Sequence, residues 1–159
     1  MMHNRRKELG KSFHEFPKRG TIAHDIYTIE VDDLKIGLMI NLLVETLASG
    51  GVHASSMVIL KVLRHLTERN FTREEAIMAA RSYPTSASHT GEHRMMLDYL
   101  DGLIVMLEIA SGEEEVDAAT VSQFISRWHA QHAIYGDGVL LDFLGVMASD
   151  QPMGQAVAP

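Results

Sequence analysis

Apolar residues recur at steps of three and four along most of the chain, and this spacing predicts amphipathic helices. The first predicted helix begins near Val31 and ends at the Gly50-Gly51 pair. The second runs from about 52 to 81 and the third from about 85 to 110. The fourth begins near Asp117, a residue type that favours the N-cap of a helix.

Short turns separate these helices, and this decides the predicted topology. Tyr83-Pro84 divides the second helix from the third, because the residue before a proline avoids helical angles. Short connections favour antiparallel neighbours, so we predict an all-α fold, an up-down-up-down four-helix bundle. Its parts are an extended N-terminal arm (1–30), the bundle (31–148) with a short C-terminal helix at 138–147, and a flexible tail (149–159).

Leucines provide most of the stripe that we expect to face the core. In the first helix the stripe contains Leu34, Leu38, Leu42 and Leu43. In the second and third helices Leu60, Leu100 and Leu107 occupy similar positions. Most of these leucines are predicted to be buried, whether or not the bundle binds a ligand.

Composition excludes several classes of function. The formal charge of −7 argues against a nucleic acid or an anionic membrane as partner of the whole domain. The chain has no cysteine, which excludes disulfides, thiolate metal sites and cysteine nucleophiles. No apolar run approaches the roughly 20 residues that span a bilayer, and the basic N-terminus lacks the apolar segment of a signal peptide. We therefore expect no membrane association and a cytoplasmic location.

Two histidines in the third predicted helix are the first candidates for chemistry. His89 and His93 are four residues apart, so their imidazoles lie on one helix face and can converge on one point. Glu74 is an expected inward carboxylate on the neighbouring antiparallel helix. In the fourth helix His132 lies one turn after Trp128 on the apolar face, and Asp137 follows where the helix is expected to end. Metal sites in helical bundles are built from such side chains on facing helices.

The order and spacing of these residues resemble the hemerythrin family, including the bacterial hemerythrins, over roughly residues 29–143. The likeness also includes the Ile40-Asn41 pair in the first helix. The main motifs are Asn70-Phe71-x-x-Glu74-Glu75-x-x-Met78 before the Tyr83-Pro84 turn, His89-x-x-x-His93, and Trp128-x-x-x-His132-x-x-x-x-Asp137.

The resemblance implies a non-heme di-iron site in the bundle core. In the family one iron is held by three histidines, which match His89, His93 and His132. Two carboxylates bridge the irons and match Glu74 and Asp137. The second iron has two further histidines and binds dioxygen, but here Asp33 and Asn70 stand at those positions. The second position keeps only oxygen donors, namely the two bridges, Asp33 and the amide carbonyl of Asn70, and should bind its metal more weakly.

Three hypotheses follow for the function. The leading one is a hemerythrin-like protein that binds one or two iron ions, or other divalent metals, and binds or senses dioxygen, peroxide or iron itself. The second is an oxidase or peroxidase of the di-iron carboxylate type. The third is a degenerate bundle that acts as a protein-interaction or signalling module. A homo-oligomer or a signalling partner is compatible with each, and a metal- and oxygen-binding role is favoured over an enzymatic one.

Overall fold

Five α-helices and one π-helical turn make up the described part of the chain. The structure is a computed structural model, and it describes residues 16–49, 53–109 and 117–149. The elements are α1 (Ile22–Ala48), α2 (His53–Ala80), α3 (Ser86–Ile109), α4 (Ala118–His132), the π-helical turn (Ala133–Asp137) and α5 (Gly138–Ser149). Within these ranges the chain contains no strand, and four helices pack together, so the prediction of an all-α fold is confirmed.

The first helix begins at Ile22 and not near Val31, so residues 22–30 are helical where an extended arm was predicted. Thr21 caps the helix, since its side chain accepts a hydrogen bond from the backbone N–H of His24. Ile22 and Ile29 are buried against the end of the bundle formed with α5. Ile22, Ile26 and Ile29 are spaced as on one helix face, but they cover only two turns, and the prediction did not use this short signal. Residues 1–15 of the predicted arm, like residues 150–159 of the tail, lie outside the described residues.

The buried stripe of α1 is not the predicted leucine stripe. Leu34 and Leu38 are 64% and 61% exposed, and Leu42 is exposed as well. Of the predicted stripe only Leu43 is buried, and it forms the core of α1 together with Ile36 and Ile40. The two stripes lie on nearly opposite faces of the helix, each at helical spacing, so periodicity alone did not choose between them. Of the other predicted core leucines, Leu60 and Leu100 are buried and Leu107 is partly buried against the core.

Two apolar clusters hold the bundle together, and all four long helices contribute to the larger one. Along α2, Phe71 belongs to the larger cluster and Met78 to the smaller one, with Glu74 one turn from each. Along α1, Ile36 and Ile29 flank Asp33 in the same way. The predicted metal-binding positions therefore lie between two apolar layers. The larger cluster comprises Ile36, Ile40, Leu43, Leu60, Leu63, Phe71, Met96, Leu100, Leu103 and Ile125, and the smaller one Ile22, Ile29, Met78, Tyr83, Leu140 and Leu144.

The fourth helix does not end at Gly136, as the sequence suggested, but continues into α5 through the π-helical turn. In this turn the N–H of Gly138 donates to the carbonyl of Ala133, five residues earlier. α5 then covers the predicted closing helix at 138–147. None of the helices in the described ranges combines the length and the apolar character needed to cross a membrane.

Candidate metal centre

Five buried side chains from α2, α3, α4 and the π-helical turn converge on one point. Each offers one nitrogen or oxygen atom, and these atoms all lie within 4.8 Å of one another. No member is more than 5% exposed. We call this group the five-residue cluster; its members are Glu74, His89, His93, His132 and Asp137. The structure thus brings together all five residues that the resemblance assigned to the three-histidine site and its two carboxylates.

All three imidazoles turn their Nε2 atom towards a carboxylate of the cluster. His93 Nε2 lies 3.1 Å and His89 Nε2 3.5 Å from Glu74 Oε2. Asp137 Oδ1 lies 3.1 Å from His89 Nε2 and 3.3 Å from His132 Nε2. These atoms are buried, yet none of them is aligned as a hydrogen bond with another group. Buried polar atoms normally have a partner, so five that converge without one fit a shared cation.

The π-helical turn explains how His132 and Asp137 come to share this point. In an α-helix two residues five apart are separated by about 140° around the axis, so their side chains diverge. The extra residue of a π-turn brings them closer to one face, and such turns are frequent at functional sites. Gly136 is required in this turn, because a Cβ there would lie 2.8 Å from the Nδ1 and Cε1 atoms of His132. The Trp-x-x-x-His-x-x-x-x-Asp motif therefore encodes a local change of helix type.

Aromatic rings fix two of the three imidazoles. Phe71 stacks on His93 with ring centroids 3.8 Å apart and an angle of 5° between the rings. Trp128 stacks on His132 at 4.5 Å and 15°. Stacked planes prevent the imidazole from turning out of the cluster while leaving its Nε2 atom free to bind a ligand.

Carboxylates hold the far nitrogens of the same two imidazoles. His93 Nδ1 lies 3.0 Å from Glu75 Oε1, and His132 Nδ1 lies 2.9 Å from Glu92 Oε2. A carboxylate at Nδ1 favours the tautomer with its proton there, so that the Nε2 lone pair faces the cluster. Sequence reasoning did not assign Glu75 or Glu92 a role. The only signal in the sequence was their position, since Glu75 directly follows Glu74 and Glu92 directly precedes His93.

Metal-free, the cluster is an arrangement of charges in a closed space. Burial disfavours a charged imidazole at His89, but the carboxylates of Asp137 and Glu74 outweigh this and raise its pKa to about 9. Burial also disfavours a charged imidazole at His132, but the carboxylates of Asp137 and Glu92 outweigh this and raise its pKa. The same histidines lower the pKa of Asp137 against the effect of its burial. Without a cation, the proton on His89 offsets part of the negative charge of the carboxylates.

Asp33 and Asn70, which stand where the family has histidines, lie next to the five-residue cluster, Asp33 close to Asp137 and Asn70 against Glu74. Burial, together with the charges of Asp137 and Glu74, raises the pKa of Asp33 to about 8. Asn70 is buried, and its amide nitrogen donates a hydrogen bond to Glu74 Oε1. As donors to a metal, both residues stay predictions.

A small closed space adjoins the cluster, and we call it the side cavity. It offers about 10 Å³ to the centre of a water-sized sphere. Besides His132, whose Nε2 atom belongs to the cluster, three of its lining residues carry a buried polar atom without a partner in the described protein, namely Thr67 Oγ1, Asn70 Oδ1 and His129 Nε2. Its remaining lining residues are Asp33, Ile36, Ile40, Leu63, Phe71, Met96, Trp128 and His132.

His129 lines the side cavity, and α1 approaches its ring closely at Gly37. A Cβ on Gly37 would lie 3.3 Å from His129 Cε1. Burial lowers the pKa of His129, so its imidazole is neutral at pH 7. His65, in contrast, is exposed on α2.

A second opening of the surface does not reach the five-residue cluster. This groove of about 550 Å³ lies between α1 and α2. Its two acidic side chains are already paired, Asp32 with Lys35 at 2.8 Å and with Arg73, and Asp25 with Arg81 at 2.6 Å. The chemistry of the molecule is therefore concentrated at the buried cluster.

No protein family model matches this chain, and neither a curated protein nor a solved structure does so. The likeness to hemerythrins consequently stays a prediction from the motifs. The structure itself shows a group of buried Glu, His and Asp side chains within the helical bundle that could bind a metal ion.

Proposed function

We propose that this protein is a hemerythrin-like non-heme iron-binding protein that binds or senses dioxygen, peroxide or iron inside its helical bundle. One observation carries the proposal: five buried donors meet within 4.8 Å, and their converging atoms have no hydrogen-bond partner. The proposal includes the up-down-up-down order of the helices, because antiparallel neighbours are the family's way of bringing such donors together.

The donor set fits a divalent transition metal. Three imidazole nitrogens suit iron, zinc, copper or nickel, whereas magnesium and calcium prefer oxygen donors only. Two carboxylates would neutralise the charge of one such cation in a space that excludes water. Iron is the proposed metal because the motifs resemble those of an iron-binding family, and a bound iron would supply redox chemistry toward a small oxygen ligand.

The chain's own contribution is to position the donors and to keep water out. Phe71 and Trp128 hold His93 and His132 in place from one side of each ring. Glu75 and Glu92 hold the proton of each imidazole at Nδ1. The side cavity adds a space of about the size of one water molecule, which restricts any further ligand to a very small one.

The test is metal binding by the purified protein and two histidine variants. Anaerobic loading with ferrous iron, followed by elemental analysis, should give bound iron for the wild type and for His65→Ala, whose exposed histidine is the matched control. His93→Ala should bind at least about a hundredfold more weakly, because it removes a central donor. Spectra recorded before and after air is admitted should change only in the two proteins that bind iron.

Two results would reject the proposal. One is a wild type that retains no iron, zinc or cobalt; the chain would then act through its surface, as a protein-interaction module. The other is His93→Ala with an unchanged affinity, which would place the bound metal elsewhere. Catalytic turnover of peroxide by the iron-loaded wild type would favour the oxidase or peroxidase alternative.

A further inference from the structure

The two oxygens of Glu74 have different partners. Oε2 faces the Nε2 atoms of His89 and His93, at 3.5 Å and 3.1 Å. Oε1 accepts a hydrogen bond from the amide nitrogen of Asn70, one helical turn earlier on α2. A carboxylate only accepts hydrogen bonds when ionised, so the NH₂ group of Asn70, and not its carbonyl, must face it. One oxygen of Glu74 is thus directed to the cluster and the other is already used by the chain.

The different partners of the two Glu74 oxygens affect how many metal ions the site can bind. A carboxylate bridges two metal ions by giving one oxygen to each. For Glu74 to bridge, the second ion would have to bind Oε1 on the side that Asn70 now occupies, and an Asn70 amide group displaced from there would be buried without a partner, which is costly. Asn70 is only 2% exposed, so water from outside cannot replace the lost contact.

Charge points in the same direction. One divalent cation between Glu74 and Asp137 leaves the five-residue cluster without net charge, the three histidines being neutral when bound. A second divalent cation would add two charges against one further carboxylate, Asp33, and so leave an excess positive charge in a buried space. Asp33 lies close to Asp137 but is not among the donors whose atoms meet within 4.8 Å of one another.

The side cavity is suited to a neutral molecule. A space of about 10 Å³ for its centre holds one water, and a buried water needs two to four polar partners. Three lining residues carry such an atom without a partner, namely Thr67 Oγ1, Asn70 Oδ1 and His129 Nε2. They are a hydroxyl, an amide carbonyl and an imidazole nitrogen, and the carboxyl group in the lining, Asp33, lies close to Asp137, so the arrangement matches a hydrogen-bonded neutral molecule better than a second ion.

We propose that Asn70 limits this protein to a single metal ion, by capping Glu74 on the side where a second ion would bind, and that the side cavity takes one water-sized neutral ligand. The proposal rests on the proposed function, because it assumes that the five-residue cluster binds a metal. Asn70 is a positioning residue in this proposal, since it acts through Glu74 and does not hold the metal.

The experiment counts metal ions per chain. Wild type, Asn70→Asp and Asn41→Asp are loaded anaerobically with ferrous iron and separately with cobalt, freed of excess metal by gel filtration, and measured by elemental analysis. We expect one ion in the wild type and two in Asn70→Asp, which replaces the capping donor with a carboxylate of the same size. Asn41 is exposed on α1, so Asn41→Asp adds the same charge without touching the cluster and should keep one ion.

Each outcome decides the matter. Two ions in the wild type would overturn the single-ion proposal and leave the proposed function standing. One ion in both wild type and Asn70→Asp would remove the role of Asn70. No ion in the wild type would overturn the proposed function, and the single-ion proposal with it. Should circular dichroism show that Asn70→Asp has lost helix, Asn70→His replaces it with the same expected count.

Discussion

The five-residue cluster and the side cavity are neighbours in one layer of the bundle, yet their polar groups are arranged in opposite ways. In the cluster, the imidazole and carboxylate atoms turn toward one another and share a centre. In the side cavity, single polar atoms of Thr67, Asn70 and His129 are set among apolar walls. Asn70 belongs to both, with its NH₂ group on Glu74 and its carbonyl in the cavity lining. The contrast shows that an ion site needs converging charge, whereas a small neutral ligand needs only partners and room.

The largest expected effect comes from removing charge on the cluster side. Glu74→Gln keeps the size of the side chain and an oxygen for Asn70 but removes the carboxylate that faces two imidazoles. We expect cobalt affinity to fall at least about a hundredfold, since the loss of one partner of a buried charge is costly. Cobalt titration followed by absorbance measures it.

The matched change on the cavity side is Thr67→Val, which keeps the shape and removes the hydroxyl. Because Thr67 Oγ1 has no protein partner, cobalt affinity should stay within about threefold of wild type. Equal losses in the two variants would erase the distinction between the two regions.

The π-helical turn gives the next largest effect. Gly136→Ala places a Cβ 2.8 Å from the His132 ring, so the imidazole must move away from the other donors. We expect cobalt affinity to fall about ten- to a hundredfold, a loss typical of disturbed ligand orientation. Gly102→Ala on α3 is the control, because its Cβ would meet nothing within 4 Å. It should leave cobalt affinity unchanged and stabilise the helix by up to about 1 kcal/mol. A Gly136→Ala protein with wild-type affinity would show that His132 does not depend on this glycine.

The same two regions show how far the sequence could predict the molecule. His89, His93 and Glu74 followed from helical spacing, and the structure brings them together as the spacing indicated. The route by which Asp137 joins them did not follow, because periodicity assumes one helix type and the π-helical turn changes it. The hydrogen bond from Asn70 to Glu74 was also missed, although the two residues are four apart on one helix. Asn70 was considered only as a metal donor at a position where the family has a histidine, and not as a partner of Glu74.

Errors on α1 have a different physical origin. Both Leu38 and Ile40 lie on apolar stripes, and only packing against the other helices decides which stripe is buried. Spacing gives the period of a helix, but its rotation about its own axis is a tertiary property. The start of α1 at Ile22 was missed for a related reason, since that end of the helix is stabilised by contacts with the α5 side of the fold.

A smaller effect is expected from the carboxylates behind the imidazoles. Glu75→Gln and Glu92→Gln each weaken the hold on one Nδ1 proton, at His93 and His132. Both carboxylates are partly solvent-exposed, 40% and 44%, so water can take over part of their role. We expect about a tenfold loss of cobalt affinity in each, at the lower end of the range for groups behind metal ligands. Losses as large as that of Glu74→Gln would mean that these residues bind the metal themselves.

The last expected effect is a dependence on pH that runs in opposite directions with and without metal. In the metal-free protein the pKa of His89 is raised from 6.5 to about 9, so its ion pairs stabilise the fold fully below pH 6.5 and are lost as the pH rises through 9. Asp33 adds to this loss, because its raised pKa of about 8 makes ionisation unfavourable in the folded state.

Metal binding requires neutral imidazoles, so zinc affinity should rise over the same interval, by at most about tenfold per pH unit for each proton released. Urea unfolding of metal-free protein and zinc titration, both between pH 6 and 9.5, measure the two trends, with His65→Ala as an unchanged control. A zinc affinity that does not change with pH would mean that no proton leaves the cluster when the metal enters, and hence that His89 is not displaced from its ion pairs.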